Sequence, residues 1–262
     1  MFESNRIEDV QRFPSPHPGI KLYVITYKSQ DFLVKGLLAQ PVSEEALPGL
    51  LYLRGGIKQV GKVRIARIIQ FASQGFVVFA PHYRGNEGGE GQEDFCGEDR
   101  HDAFSALRIL DDLPFVDSSS LHVFGFSRGG AMALFTAGYY PDIIRSVVVW
   151  GGVSDMKLTY EERKGLRKML KRVVGGSVYK YPDRYEWRTP LSEVPRFEAP
   201  VLIIHGIYDE NVSFEHARLL ERKLYEHDKR YETWYIEDDH HFTPEKKLQV
   251  TRDLCSWMKK QR

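Results

Sequence analysis

The stretch Val123-Phe124-Gly125-Phe126-Ser127-Arg128-Gly129-Gly130 decides how this chain is read. An apolar run from Leu121 to Phe124 enters a Gly-x-Ser-x-Gly pattern and leaves into Ala131-Met132-Ala133-Leu134-Phe135. That succession predicts a strand, a sharp turn and a helix. A serine at such a turn is held in a strained backbone conformation that lifts its hydroxyl clear of the sheet. Gly125 and Gly129 are required because a side chain at either would collide across the turn. Gly130 and Ala131 let the helix lie close to its strand. Ser127 is therefore a candidate nucleophile, which needs a base, an acid to orient that base, and donors for an oxyanion.

On either side of this turn, short apolar runs alternate with helical periodicity. Leu50 to Leu53, Phe76 to Ala80, Val147 to Trp150 and Val201 to Ile204 read as buried strands, and Tyr231 to Ile236 as a further strand. Val63 to Ser73, Ala103 to Leu110, Phe214 to Tyr225 and Pro244 to Met258 read as helices. Gly75 stops the first, and Asp99 and Asp102 lie near the start of the second, where acids suit the helix dipole. Tyr23 to Tyr27 and Phe32 to Leu38, separated by Lys28-Ser29-Gln30-Asp31, read as an N-terminal antiparallel hairpin, and Pro41 to Pro48 as a polar loop. The alternation predicts an α/β fold, a mostly parallel sheet with helices on both faces. Residues 154–200 break the rhythm: they are charged, aromatic and helix-prone, with Lys and Arg crowded between Arg163 and Arg172. They predict a cap-like insertion over the strand ends within one domain of residues 1–262. Tyr179, Tyr181, Tyr185 and Trp187 either offer a ring-bearing ligand a surface or pack the insertion onto the sheet.

Composition narrows the class. Of 262 residues, 42% are hydrophobic and 28% charged, enough for a sizeable core. The 37 basic and 36 acidic residues leave a net charge of +1, which calls for neither nucleic acid nor an anionic membrane. Met1-Phe2-Glu3-Ser4-Asn5-Arg6 lacks the basic-then-apolar character of a signal peptide. The strongest apolar stretches, such as Ser146 to Trp150, are too short to span a bilayer. Cys96 and Cys255 fit two free thiols better than a structural disulfide. A soluble cytoplasmic protein is expected.

The acid should follow a later strand, and Val201-Leu202-Ile203-Ile204-His205-Gly206-Ile207-Tyr208-Asp209 puts Asp209 there. A loop aspartate can also cap the helix that begins near Ser213. Asp155, past the preceding strand, is the rival acid, and Glu210 an adjacent substitute. The base should follow the last strand, where His240 and His241 both stand; the residues alone leave that choice open. Paired histidines near acids also suit a metal, but no His-Glu-x-x-His or cysteine spacing supports one. The oxyanion donors expected are the Arg128 N–H, next to the nucleophile, and N–H groups of Gly55-Gly56-Ile57, past the Leu50 to Leu53 strand. The side chains of Arg128 and Arg54 either meet a substrate carboxylate or pair with an acid of the protein.

These motifs, taken together, resemble the prolyl oligopeptidase-like group of α/β-hydrolases, which holds both peptidases and esterases. Arg54-Gly55-Gly56 resembles its His-Gly-Gly segment. Tyr83-Arg84-Gly85, then Gly97 and Asp99-x-x-Asp102, resembles its Tyr-Arg-Gly stretch. Gly125-Phe126-Ser127-Arg128-Gly129-Gly130 matches its Gly-x-Ser-x-Gly-Gly elbow, and Thr189-Pro190-Leu191 resembles its Ser-Pro-Leu. His205-Gly206-x-x-Asp209-x-x-Val212 matches its His-Gly-x-x-Asp-x-x-Val, and His240-x-Phe242 resembles its His-Gly-Phe. The resemblance implies an α/β-hydrolase fold and a Ser127, Asp209, His240 triad, with His240 rather than His241 as base. It leaves Arg54 and Tyr83 as candidate substrate contacts. It implies an acyl-enzyme mechanism that needs no cofactor and no metal. The stretch before Arg54 is short for the propeller that limits large peptidases of the group to short peptides. With the insertion, this makes carboxylic esters of small molecules the expected substrates, and short peptides or acyl-peptides the alternative. Many members of the group form dimers, so a homodimer is open, though no stripe of the sequence demands one.

Overall fold

The computed structural model describes residues 4–261. Three antiparallel strands open the chain: β1 (Ile7–Phe13), β2 (Ile20–Ser29) and β3 (Phe32–Pro41). Then come β4 (Leu47–Leu53), β5 (Val77–Pro81), β6 (Val116–Phe126), β7 (Ile144–Trp150), β8 (Val201–Gly206) and β9 (Tyr231–Ile236). The described strands form one sheet in the order β1-β2-β3-β5-β4-β6-β7-β8-β9. From β5 to β9 every pairing is parallel, and β3 joins β5 antiparallel.

The helices in chain order are α1 (Ile65–Ala72), α2 (Arg100–Asp112), α3 (Arg128–Tyr139), α4 (Met156–Glu162), α5 (Arg167–Val174), α6 (Pro182–Glu186), α7 (Phe214–Glu226) and α8 (Pro244–Lys259). Residue alternation along the strands feeds two cores. Leu51, Leu53, Val147, Val149, Val201 and Ile203 pack in the layer that holds α2, α3 and α7. Leu50, Tyr52, Val148, Trp150, Leu202 and Ile204 pack in the layer that holds α1 and α8. Each fully buried aliphatic side chain contributes about 1.5–3 kcal/mol over exposure. No helix is long and apolar enough to cross a membrane among the described residues, and Cys96 and Cys255 are both free and buried.

Strand order creates the site. After β4 the chain crosses to β5 on one side; after β5 it returns to β6 on the other. β4 and β6 are neighbours whose exits diverge, which opens a crevice beyond their C-terminal ends. The segments leaving them begin with Arg54-Gly55-Gly56 and Ser127.

The expected hairpin is present but tighter: Ser29 pairs with Phe32, leaving Gln30 and Asp31 at the turn, with Gln30 at φ 52°. β1 was not expected. Its half-buried apolar residues Ile7, Val10 and Phe13 recur every third position, and a register irregularity between Ile7 and Asp9 masks the period of two. Between β7 and β8 lie α4, α5, α6 and 3₁₀ turns at Lys164–Leu166 and Pro190–Arg196. α5 ends at Gly175, whose φ of 94° only glycine adopts without strain.

Candidate active site

Ser127 stands between β6 and α3 at φ 56°, ψ −123°, a conformation that L residues rarely adopt. Three backbone bonds clamp it. Its N–H donates to Trp150 O at 3.1 Å, and its carbonyl accepts from Gly130 N at 2.9 Å and Val153 N at 3.0 Å. The flanking glycines answer a steric demand: a Cβ on Gly125 would lie 2.1 Å from Gly129 O, and one on Gly129 would lie 2.0 Å from Leu53 O. A Cβ on Gly130 would lie 2.7 Å from Gly152 Cα, so α3 sits hard against the exit of β7.

Asp209 and His240 come together from the exits of β8 and β9. His240 Nδ1 lies 2.6 Å from Asp209 Oδ2, a short charge-assisted contact, while Asp209 Oδ1 accepts from Asn211 N and Val212 N, each at 2.8 Å. The two carboxylate oxygens thus divide the two roles that the loop position suggested: one shapes the turn before α7, the other holds the imidazole. Burial alone would raise the Asp209 pKa. The bonds from His240, Val212 and Asn211 outweigh it and hold the carboxyl below its ordinary range. Gly151, at φ 50°, makes room, since a Cβ there would lie 3.2 Å from His240 Nδ1 and 3.3 Å from Asp209 Oδ2. His205 braces the same loop, with Nε2 2.8 Å from Val212 O and 3.6 Å from Asp209 Oδ2.

Of the three rivals, His241 stands beside the pair, its ring centroid 4.8 Å from that of His240. Asp155 caps α4, accepting from Leu158 N at 2.8 Å. Glu210 is exposed. His241 is exposed, and its backbone N–H donates to Asp239 Oδ1.

The glycine loop after β4 abuts Ser127 directly. A Cβ on Gly55 would lie 2.8 Å from Ser127 Cβ and 3.4 Å from its Oγ. Gly56 has φ 65°, and its missing side chain leaves room for Val60 O. Opposite, the amide of Arg128 opens α3, where helix N–H groups lack intrahelical acceptors.

The side chains of Arg54 and Tyr83 correct the expectation of substrate contacts, and that of Arg128 takes the second of its two readings, an acid of the protein. Arg128 is 1% exposed and Arg54 2% exposed, and both point into an ionic cluster of the protein itself. Glu93 Oε2 lies 2.8 Å from Arg128 Nη2 and 3.3 Å from Arg54 Nη2, and Asp99 Oδ2 lies 3.4 Å from Arg128 Nη1. Arg54 also donates to the carbonyls of Gly55 at 3.0 Å and His82 at 2.8 Å. Tyr83 is fully buried between the guanidinium groups, its ring centroid 5.1 Å from Arg54 Cζ and 4.7 Å from Arg128 Cζ. Arg54 and Tyr83 are therefore engaged within the protein: Glu93 pairs with both arginines, and Asp99, whose pKa burial pushes up, lies beside Arg128. Sequence reasoning missed Glu93, which also accepts from Asn86 Nδ2 at 3.1 Å and from the backbone N–H of Lys58. Its carboxylate ties the Gly55–Lys58 loop to the start of α3.

Ser127, His240, Gly55, Gly56, Ile57, Arg54 and Arg128 all line one cavity of about 600 Å³. The insertion contributes Thr159, Arg163 and Leu166 to its wall. None of the four aromatic residues marked in the insertion lines it. Tyr185 is fully buried against Tyr160, ring centroids 5.3 Å apart, Trp187 stacks on Arg100 at 4.2 Å, Tyr181 lies 4.2 Å from Arg184, and Tyr179 is 75% exposed. They serve packing and surface.

Comparison with known proteins identifies the family and the fold. The model of the "Prolyl oligopeptidase family" matches residues 62–262. The chain is 56% identical over 254 residues to "Uncharacterized peptidase YtmA" of Bacillus subtilis (strain 168), covering 97% of this chain and 99% of that protein. It superposes on Pyrococcus horikoshii acylaminoacyl peptidase with a TM-score of 0.77 at 19% identity, covering 98% of this chain but only 42% of that one. It superposes on acetyl xylan esterase from Paenibacillus sp. R4 with a TM-score of 0.72 at 17% identity, covering 95% of this chain and 88% of that one. With its α/β-hydrolase sheet and its serine elbow, the chain belongs to the prolyl oligopeptidase family and is a serine hydrolase.

Proposed function

We propose that Ser127 attacks an acyl carbon, His240 takes its proton, and Asp209 orients His240 and stabilises the imidazolium. The Arg128 amide and the amides of the Gly55–Ile57 loop receive the oxyanion. His240 then hands the proton to the leaving group, an acyl-enzyme forms on Ser127, and water releases the acid through the same histidine. The observation that carries this reading is the 2.6 Å contact of His240 with a buried Asp209, on the wall of the cavity that Ser127 also lines.

The substrate class we favour is short peptides or acyl-peptides. Support comes from the peptidase names of the 56% identical relative and of the acylaminoacyl peptidase, and from a cavity large enough for a few residues. Residues 154–200 act as the cap that limits its size, through Thr159, Arg163 and Leu166. The second reading, esters of small molecules, uses the same atoms. It is favoured by the acetyl xylan esterase, whose length this chain nearly matches. The two buried free thiols fit a reducing compartment.

A fluorophosphonate probe should label the wild type and neither Ser127→Ala nor His240→Ala. Peptide p-nitroanilides run beside p-nitrophenyl esters then rank the two substrate classes by kcat/KM. Labelling that survives Ser127→Ala would overturn the assignment of the nucleophile.

A further inference from the structure

The cavity wall on His240's side carries cations that no carboxylate answers. Arg67, on α1, lines the cavity at 8% exposure. Its Nη1 donates to Gln70 Oε1 at 2.9 Å and Thr251 Oγ1 at 2.6 Å, and its Cζ lies 4.5 Å from the centroid of Phe71 and 5.6 Å from that of Trp150. All of these partners are neutral. Lys247, on α8, and Arg64, just before α1, line the same cavity and are exposed. Among the described residues none of the three forms an ion pair, and no aspartate or glutamate lines the cavity. Partial desolvation, then Arg67 and Arg64, hold the Lys247 ammonium below its ordinary pKa. A cation taken out of water without a counter-charge is costly, and an arriving anion relieves that cost.

The position of these cations assigns them to one half of a substrate. A recess of about 40 Å³ brings together Arg67, Lys247, His240 and His241. In acyl transfer the histidine gives its proton to the leaving group, so groups beside it meet the leaving half. We infer that Arg67 and Lys247, with Arg64 at the rim, bind a carboxylate on the leaving-group side of the scissile bond. The enzyme then favours a short peptide cleaved close to its free C-terminus, or an ester whose alcohol carries a carboxylate. This deepens the acyl-hydrolase reading and rests on it.

The test has two arms: acyl-dipeptides with a free C-terminal carboxylate against their C-terminal amides, and acyl glycolates against acyl glycolamides. The expected result is a kcat/KM preference for the carboxylate form of about tenfold or more in at least one arm, shrinking as salt rises. The arm that shows it identifies the source of the carboxylate. Arg67 also packs against aromatic rings, so the exposed Lys247 carries the mutational test. Lys247→Gln should cut the carboxylate-to-amide ratio several-fold, Lys247→Glu should cut it further, and Lys247→Arg should retain it. Equal rates for carboxylate and amide in both arms, or a ratio unmoved by Lys247→Glu, overturn the inference. If that happens while Ser127→Ala still abolishes turnover, the anion site alone fails. If turnover survives Ser127→Ala, the acyl-hydrolase reading fails first. Competition of glycylglycine and its amide against fluorophosphonate labelling reads the same preference without turnover.

Discussion

The basic groups behind Ser127 and those in front of it share a chemistry and differ in closure. Behind, Arg54 and Arg128 are sealed by Glu93 and Asp99, and Glu93 is itself held by Asn86 and the Lys58 amide. In front, His240 is tied at Nδ1 by Asp209 and lines the cavity, while Arg67 and Lys247 form no ion pair among the described residues. A closed ionic cluster fixes the backbone that carries it, because removing one partner strands the others in a low-dielectric interior. An open one leaves charge or basicity available to a ligand. On the mechanism proposed above, the same residue types build scaffold on one side of the serine and reactivity on the other.

Substitutions can break this contrast, and the open side should show the largest effect. Ser127→Ala or His240→Ala should lower kcat by about 10⁴-fold or more with little change in melting temperature. Asp209→Asn should lower kcat by about 10³–10⁴-fold, as loss of the orienting acid does in serine hydrolases generally. Single-turnover kinetics beside thermal melts separate chemistry from folding. On the closed side the signs reverse. Glu93→Ala leaves two buried guanidinium groups short of charge and should cost about 3–5 kcal/mol of stability, read by denaturant unfolding. A Glu93→Ala protein with wild-type stability and reduced kcat alone would move Glu93 to the reactive side.

Acid sharpens the same contrast. The Glu93 pKa would be raised by burial, but Arg128, Arg54, the Lys58 amide and Asn86 hold it below its ordinary value of 4.5. A depressed folded pKa means the stabilisation is present above the unfolded value and is lost as pH falls through the folded one. Asp209, depressed from 3.8, has the same sign. The melting temperature should drop as pH falls from about 5 towards about 3, and the drop should be smaller in Glu93→Gln. The smallest effect belongs to the rival acid. Asp155→Ala should cost about 1 kcal/mol through the lost α4 cap and leave kcat within about twofold. A large kcat loss there would reopen the choice between the two acids.

Much of this was readable along the chain. The elbow depends on Gly125, Ser127 and Gly129, neighbours whose steric demands are written in adjacent residues. The inner parallel strands β4, β5, β7 and β8 announced themselves as short apolar runs because both faces of each are buried. The strand β1 did not, since an irregularity breaks its alternation. Asp209 was readable as a candidate acid because its strand and loop are contiguous. Its double duty, with one oxygen on the turn and one on His240, was not. Arg54 and Arg128 were readable as either substrate contacts or partners of an acid, and the acid itself was not, because Glu93 lies 35 residues or more from either in sequence and gives no periodic signal.

The sequence by itself determined the fold class and put forward a candidate nucleophile, acid and histidine in that chain order. Helical and strand periodicity and glycine sterics act between residues close in sequence, so they can be read there. Tertiary structure decided which groups are neutralised and which are open. Arg67 and Thr251 are 184 residues apart and bonded, and His240 meets Asp209 across 31 residues while its neighbour His241 stays exposed. Charge is compensated through space, and only the packed sheet brings those distances down to contact.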